Sequence, residues 1–156
     1  MENVFLLLGS NRGERSVLLA RARKLIAELA GRVLRVSAVY ESEPWGFEDE
    51  TLFLNQVVEI KTELAAEDLL TCLLEIEKQL GRVRQGSGYG ARTMDIDILF
   101  YGSQIISTAR LTVPHPRLHE RRFTLVPLAE IAIAFVHPVL GETIGEILGR
   151  IEGKKV

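Results

Sequence analysis

Asp95 and Asp97 stand in the run Arg92-Thr93-Met94-Asp95-Ile96-Asp97-Ile98-Leu99-Phe100, a carboxylate pair set into an apolar strand pattern. Successive strand side chains alternate faces, so both acids point one way while Ile96 and Ile98 enter the core. Two strand rises of about 3.3 Å place their Cα atoms roughly 6.5 Å apart, within reach of one cation or of a pair of cations. Like charges held this close repel unless something positive sits between them. Oxygen-only donors favour a hard ion such as Mg²⁺, which takes one or two carboxylates and fills its remaining positions with water and substrate phosphate. The plainer alternative is a solvated strand face balanced by nearby arginines.

The segment from Gly81 to Arg92 places four glycines (Gly81, Gly86, Gly88 and Gly90) and three arginines (Arg82, Arg84 and Arg92) directly before the acids. Glycines permit close approach to a ligand and guanidinium forks suit phosphate oxygens, so this loop can close over a polyphosphate whose cations rest on Asp95 and Asp97. A solvated hairpin whose arginines neutralise the aspartates is the competing account. Gly86, Gly88 and Ala91 match a dinucleotide-binding spacing, but that motif follows a strand and opens a helix, whereas this loop follows a helix and opens a strand. Gly9-Ser10-Asn11-Arg12-Gly13 lacks the Lys-Ser/Thr end of a phosphate-binding Walker loop.

His115 and His119, with Glu120, superficially suggest zinc, but Pro116 disfavours helix at His115 and the two rings need not share a face. With Arg110, Arg117, Arg121 and Arg122 near in sequence, His115 suits a phosphate donor; the alternative is a surface turn. Asn55, flanked by apolar residues in a strand, must find partners once buried. Its amide can read a heterocycle edge or bond the neighbouring backbone. Phe123 fits a ligand face and a core position equally well.

The elements that must position these groups follow from periodicity. Val4 to Leu8 reads as a buried strand ending at a turn at Gly9. Val17, Leu18, Ala22, Leu25, Ile26 and Leu29 recur at helical spacing, with Arg21, Arg23 and Lys24 as a wet face and Gly31 as the stop. Arg32 to Ser42 and Phe53 to Thr62 are β-rich. Between them lies an acidic loop, Glu43 to Glu50, holding the only Trp, Trp45. Leu69, Leu70, Leu73, Leu74, Ile76 and Leu80 define a second helix closed by Gly81, and the Asp strand runs on to Tyr101. This order predicts an α+β, ferredoxin-like antiparallel sheet, with the C-terminal helices covering its second face in a three-layer αβα sandwich.

At 156 residues and 47% hydrophobic, residues 1–156 are expected to form one domain with a sufficient core. The single Cys72 precludes an intramolecular disulfide and points to a reduced, cytoplasmic compartment. Val4 to Leu8 is too short for a signal peptide, no segment approaches a membrane span, and a net charge of −2 argues against a nucleic-acid footprint.

Taken together, Leu8-Gly9-Ser10-Asn11, Phe53-Leu54-Asn55, Glu77, Gly81-Arg82-Val83-Arg84, Gly90 to Leu99 and Arg110 to His115 resemble the 6-hydroxymethyl-7,8-dihydropterin pyrophosphokinase family over nearly the whole chain. The resemblance implies transfer of pyrophosphate from ATP to the pterin alcohol, with release of AMP, in folate biosynthesis. It implies that Asp95 and Asp97 hold two Mg²⁺ and that Arg82 and Arg92 stabilise charge during transfer. Glu77, Arg84, Ile98, Arg110, Thr112, His115 and Arg121 are implied to line the ATP site, Ile98 through its backbone. Ser42, Glu43, Trp45, Phe53, Asn55 and Phe123 are implied to bind the pterin, with Phe53 and Phe123 on its two faces. The chain departs from the family signature at Gly88, Tyr89, Ala91 and Phe53, the last keeping a stacking face while losing a hydroxyl. Two rival classes are a nucleotidyltransferase, for which no third acid stands out, and a non-catalytic ferredoxin-like module, which leaves the Asp pair and the arginine loop without a role.

Overall fold

The computed structural model describes residues 1–11, 14–42, 52–82 and 94–153. Strand β1 (Glu2–Ser10) leads into helix α1 (Arg15–Leu29), followed by β2 (Arg32–Val36), β3 (Tyr40–Ser42) and β4 (Phe53–Thr62). Helix α2 (Ala66–Glu77) then ends in a wide turn, Lys78–Arg82, and leads to β5 (Asp95–Tyr101). A small ribbon of β6 (Ile106–Ser107) and β7 (Thr112–Val113) precedes α3 (Arg122–Ala132) and α4 (Ile144–Gly153). The main sheet has the order β2-β4-β1-β5, with β3 also on β4, and the pairings are antiparallel. This is the expected split βαβ arrangement.

Each face of the sheet carries its own core. Val4, Leu6 and Leu8 pack with Leu19, Ala22 and Ile26 of α1 and Leu69, Leu73 and Ile76 of α2. Phe5, Leu7, Val57, Leu99 and Phe100 pack with Leu125 and Leu128 of α3 and Ile144 and Ile147 of α4. Because β1 is covered on both sides, it is a continuous apolar run and not an alternating one. Each fully buried Leu or Ile in these layers contributes about 1.5–3 kcal/mol.

The β1–β5 register steps from Leu6↔Ile98 to Phe5↔Phe100, leaving Leu99 as an extra residue. This bulge turns Leu99 and Phe100 toward the same core and returns Tyr101 to the other one. Strict alternation therefore governs Asp95 to Ile98 and is re-phased beyond them.

Four sequence expectations are corrected. Gly9 is not a turn: β1 continues through Ser10, and Gly9 pairs with both Asn55 and Asp95. The stretch Arg32 to Ser42 is two strands, interrupted at residues 37–39. In α1, Leu19 is buried whereas Val17 and Leu29 are exposed. Arg23 is not merely solvated, since its Nη1 donates to Gln56 Oε1 at 2.6 Å. Among the described residues, no helix is long and apolar enough to cross a membrane.

Two glycines owe their places to different causes. Gly81 has φ 100°, a left-handed conformation that ends the turn after α2. At Gly31 the cause is proximity, because a Cβ there would stand 2.5 Å from the Lys61 carbonyl oxygen. Gly31→Ala is expected to destabilise the fold by about 1–3 kcal/mol through overpacking. At Gly149 inside α4 a Cβ would meet no atom within 4 Å. There, Gly149→Ala is expected to gain about 0.5–1 kcal/mol of helix propensity. Urea unfolding of the two variants checks the opposite signs.

Candidate active site

The acids lie at the end of the sheet where β1 and β4 expose a shared floor. Asp95 pairs with Gly9, Gly9 with Asn55, and Asn55 with Tyr40, a single row running across β5, β1, β4 and β3. Directly opposed residues in antiparallel strands share a face, so this row lies on the α3–α4 side. Asp97, opposite Leu7, sits one pleat deeper on that face. A Cβ at Gly9 would lie 3.5 Å from Asn55 Oδ1 and 3.8 Å from Phe53 Cδ1. Glycine thus leaves a shallow floor between the carboxylates and the amide. Asn55, 3% exposed, donates through Nδ2 to Ser42 Oγ at 2.6 Å, and Ser42 is itself opposite Phe53.

The wall facing the acids comes from the segment leading into α3. The His115 N–H donates to the Leu99 carbonyl at 3.0 Å, which docks the Pro114-His115-Pro116 turn on the outer edge of β5. Its Nδ1 accepts the Arg117 N–H at 3.3 Å. Burial first, then the neighbouring Arg121 and Arg117 cations, lower the imidazole pKa to about 4. His115 is therefore neutral at pH 7, and with Nδ1 accepting, its proton is on Nε2 as a donor. Burial also pulls the Arg121 guanidinium below its ordinary value, while the Asp97 carboxylate opposes that shift. Asp97 and Arg121 thus act on each other across the cleft. The Arg121 guanidinium carbon lies 5.5 Å from the Phe123 ring centroid, a cation–π approach that ties the cationic wall to an aromatic face.

The other expected nucleotide residues are placed differently. Glu77, the last residue of α2, is 4% exposed, and its Oε2 accepts the Ile96 N–H at 2.6 Å. It grips the residue between the two aspartates and so fixes which way they face. Ile98 spends its side chain in the α1–α2 core, leaving its main chain for any other role. Arg110 is held on the outer surface of α2, with Nη1 3.2 Å from Glu67 Oε1 and Nη2 donating to Thr71 Oγ1 at 3.1 Å. Thr112 is exposed on β7 opposite Ser107. Arg82 closes the turn after α2, and Glu43, Trp45, Arg84 and Arg92 lie outside the described residues.

Asp95 and Asp97 offer oxygen donors only, and among the described residues no group of three or more His, Cys, Asp or Glu gathers for a metal. That donor set fits Mg²⁺, which completes its shell from water and phosphate, and it does not fit zinc. His119 is instead 3.7 Å from Glu120 and stands edge-on to His137 at 6.4 Å. The sequence reading gave no site role to Gly9, Tyr40 or Glu130. Gly9 was concealed by its resemblance to a turn residue. The other two meet through a hydrogen bond between residues 90 positions apart, which no local pattern signals.

The pattern of the 7,8-dihydro-6-hydroxymethylpterin-pyrophosphokinase (HPPK) family matches residues 5–133. A 2-amino-4-hydroxy-6-hydroxymethyldihydropteridine pyrophosphokinase of Bacillus subtilis is 47% identical over 133 residues, covering 84% of this chain and 79% of that protein. The enzyme of the same name from Methylorubrum extorquens is 44% identical, covering 97% of this chain and 95% of that one. The crystal structure of Plasmodium falciparum HPPK-DHPS superposes with a TM-score of 0.78 at 16% identity, covering 98% of this chain and 45% of that longer chain, a likeness of fold. On the family pattern and these identities, the chain belongs to the 7,8-dihydro-6-hydroxymethylpterin-pyrophosphokinase family.

Proposed function

We propose that this chain transfers a pyrophosphoryl group from ATP to the hydroxymethyl oxygen of 6-hydroxymethyl-7,8-dihydropterin, releasing AMP, as a step of folate biosynthesis. The observation that carries the reading is the single row of Asp95, Gly9 and Asn55, which sets a carboxylate and an amide on one face with a bare floor between them. The family, and the activity for which its relatives are named, give the row its chemistry. In the reaction the alcohol oxygen bonds to the β-phosphorus, the bond from that phosphorus to the α–β bridging oxygen breaks, and AMP leaves with the electron pair. The alcohol proton passes to phosphate or water.

Asp95 and Asp97 are the residues that would hold two Mg²⁺ with ATP. Bound there, the ions would offset phosphate charge and lower the alcohol pKa, so no protein base is required. Neutral His115 donates from Nε2 toward a phosphate oxygen, and Arg121 supplies fixed positive charge beside Asp97. Arg82 and Arg92 supply further positive charge as negative charge develops, with Arg84, Arg110, Thr112 and the Ile98 main chain as the remaining nucleotide contacts. Glu77 keeps both aspartates in phase. On the acceptor side, Asn55 reads the pterin edge, Phe53 and Phe123 stack on its faces, and Ser42, Glu43 and Trp45 border it. Cytoplasmic location is supported by the lone Cys72.

Incubation with ATP, Mg²⁺ and the pterin alcohol is expected to release AMP; release of free pyrophosphate instead would overturn the reading in favour of nucleotidyl transfer. Asp95→Ala and Asp97→Ala are each expected to lower turnover by on the order of 10²–10³-fold while thermal unfolding stays cooperative. Activity retained by either variant removes the metal assignment.

The titration of His115 yields a separate expectation for stability. Its folded pKa, about 4, lies below its ordinary 6.5, so between those values the unfolded chain binds the extra proton. Its contribution to stability is present above pH 6.5 and is lost as pH falls toward 4. His115→Gln, which cannot take up that proton, is expected to flatten the pH dependence of unfolding free energy in that window. Identical slopes for the two proteins would contradict it.

A further inference from the structure

The interruption between β2 and β3 is stitched to both neighbouring elements. Ser37 Oγ accepts the Val57 N–H at 3.0 Å, and Gln56 Nε2 donates to the Ser37 carbonyl at 2.7 Å, which ties the break to β4. The next N–H, of Ala38, turns away to the layer of α3. There Glu130 accepts it through both carboxylate oxygens at 3.1 Å each, and Oε1 also accepts the Tyr40 hydroxyl at 2.6 Å. The hydrogen bond that the Tyr40 phenol donates to this carboxylate is the main reason it titrates above its ordinary range.

The position of this clasp matters more than its strength. Tyr40 is opposite Asn55, and Ser42, two residues on, is opposite Phe53 and accepts from Asn55. Glu130 follows Phe123 by seven residues on α3, so the two lie about two turns, or roughly 10 Å, apart on one helix face. One end of that face therefore holds β3, and the other carries the ring opposing β4.

We infer that Glu130 is a positioning residue of the acceptor pocket: by clasping Ala38 and Tyr40 it fixes the distance between the β3–β4 wall (Ser42, Phe53, Asn55) and the α3 wall (Phe123). The inference rests on the reading of those residues as the pterin site. Glu130 itself touches no reacting group. As an exposed carboxylate it adds little to global stability. Its removal therefore loosens the spacing of two aromatic walls without unfolding the protein. A slot for a flat ring is sensitive to such a change, because stacking on both faces requires both rings at contact distance at once. The nucleotide side is anchored independently, through Glu77 to Ile96 and His115 to Leu99.

The 156-residue chain with Glu130→Ala, Glu130→Gln and Tyr40→Phe tests this through KM for each substrate, kcat and the thermal midpoint. Glu130→Ala is expected to raise the pterin KM about tenfold, with ATP KM and kcat within about twofold. Glu130→Gln, whose amide oxygen still accepts one hydrogen bond, should fall between it and the unsubstituted protein; Tyr40→Phe should raise the pterin KM about threefold. An unchanged pterin KM in all three, or a parallel rise in both KM values with a lowered midpoint, overturns the inference. If Glu130→Ala does not fold, Tyr40→Phe, which deletes one oxygen atom, carries the same comparison. Absence of turnover in the unsubstituted protein would instead count against the pyrophosphokinase reading, and against the pocket with it.

Discussion

The antiparallel register of β1 with its two neighbours is the constraint on which the site depends. Gly9 lies opposite Asp95 on one side and Asn55 on the other, so cation-holding and ring-reading groups share a face only in that register. A slip of one residue in β5 would send both aspartates into the α1–α2 core and bring Ile96 and Ile98 onto the site. The chain guards against this at both ends of the segment. Glu77 grips the Ile96 N–H before the register can drift, and the bulge at Leu99 absorbs the change of phase beyond Ile98. The two faces of β1 are both buried, so a slip also costs packing in two cores at once.

Electrostatics follows from that placement. Two carboxylates on one strand face raise the cost of placing further negative charge nearby, and the chain supplies Arg121 against Asp97 from the opposite layer. His115 stands beside two arginines and is kept neutral chiefly by burial. A protonated imidazole there would add repulsion to an already cationic wall, whereas the neutral ring still donates from Nε2. Donor geometry is thus gained without a third charge. Arg110 illustrates the opposite arrangement: its charge is held by Glu67 on the surface of α2 and would have to exchange that partner to meet a phosphate.

How much of this could be read from the sequence depended on the range of the interaction responsible. The β-branched run identified β4 as Phe53–Thr62 with its observed bounds, and the period of two correctly set Asp95 and Asp97 against Ile96 and Ile98. Residue chemistry alone marked Asn55 and His115, and the family resemblance added Arg121 to the nucleotide site. Misreadings arose where distant chain overrode a local cue. Gly9 looked like a turn because a buried central strand seldom needs glycine, and its reason, a bare floor beside Asn55 and Phe53, exists only after three strands pair. Gly31 does stand at the stop of α1, as its position suggested, but the reason no side chain fits there is the Lys61 carbonyl. Arg23 looked solvated until β4 presented Gln56 to it.

Both edges of the sheet pose the same physical problem, and its solutions also build the site. An uncovered edge strand leaves unpaired N–H and C=O groups and invites pairing with another chain. On the β5 edge, the His115 N–H satisfies the Leu99 carbonyl, and the same turn delivers His115 and Arg121 to the acids. On the opposite edge, the break at Ser37–Val39 ends regular pairing, and Glu130 takes up the Ala38 N–H. That bond joins the edge to α3, whose other end carries Phe123. In each case a backbone group at the sheet edge is met from the α3 side of the molecule. The consequence is that α3 and the turn before it cannot shift against the sheet without breaking a hydrogen bond at one edge or the other. The two bonds, Ala38 to Glu130 and His115 to Leu99, therefore hold the α3 wall against the sheet floor from opposite edges.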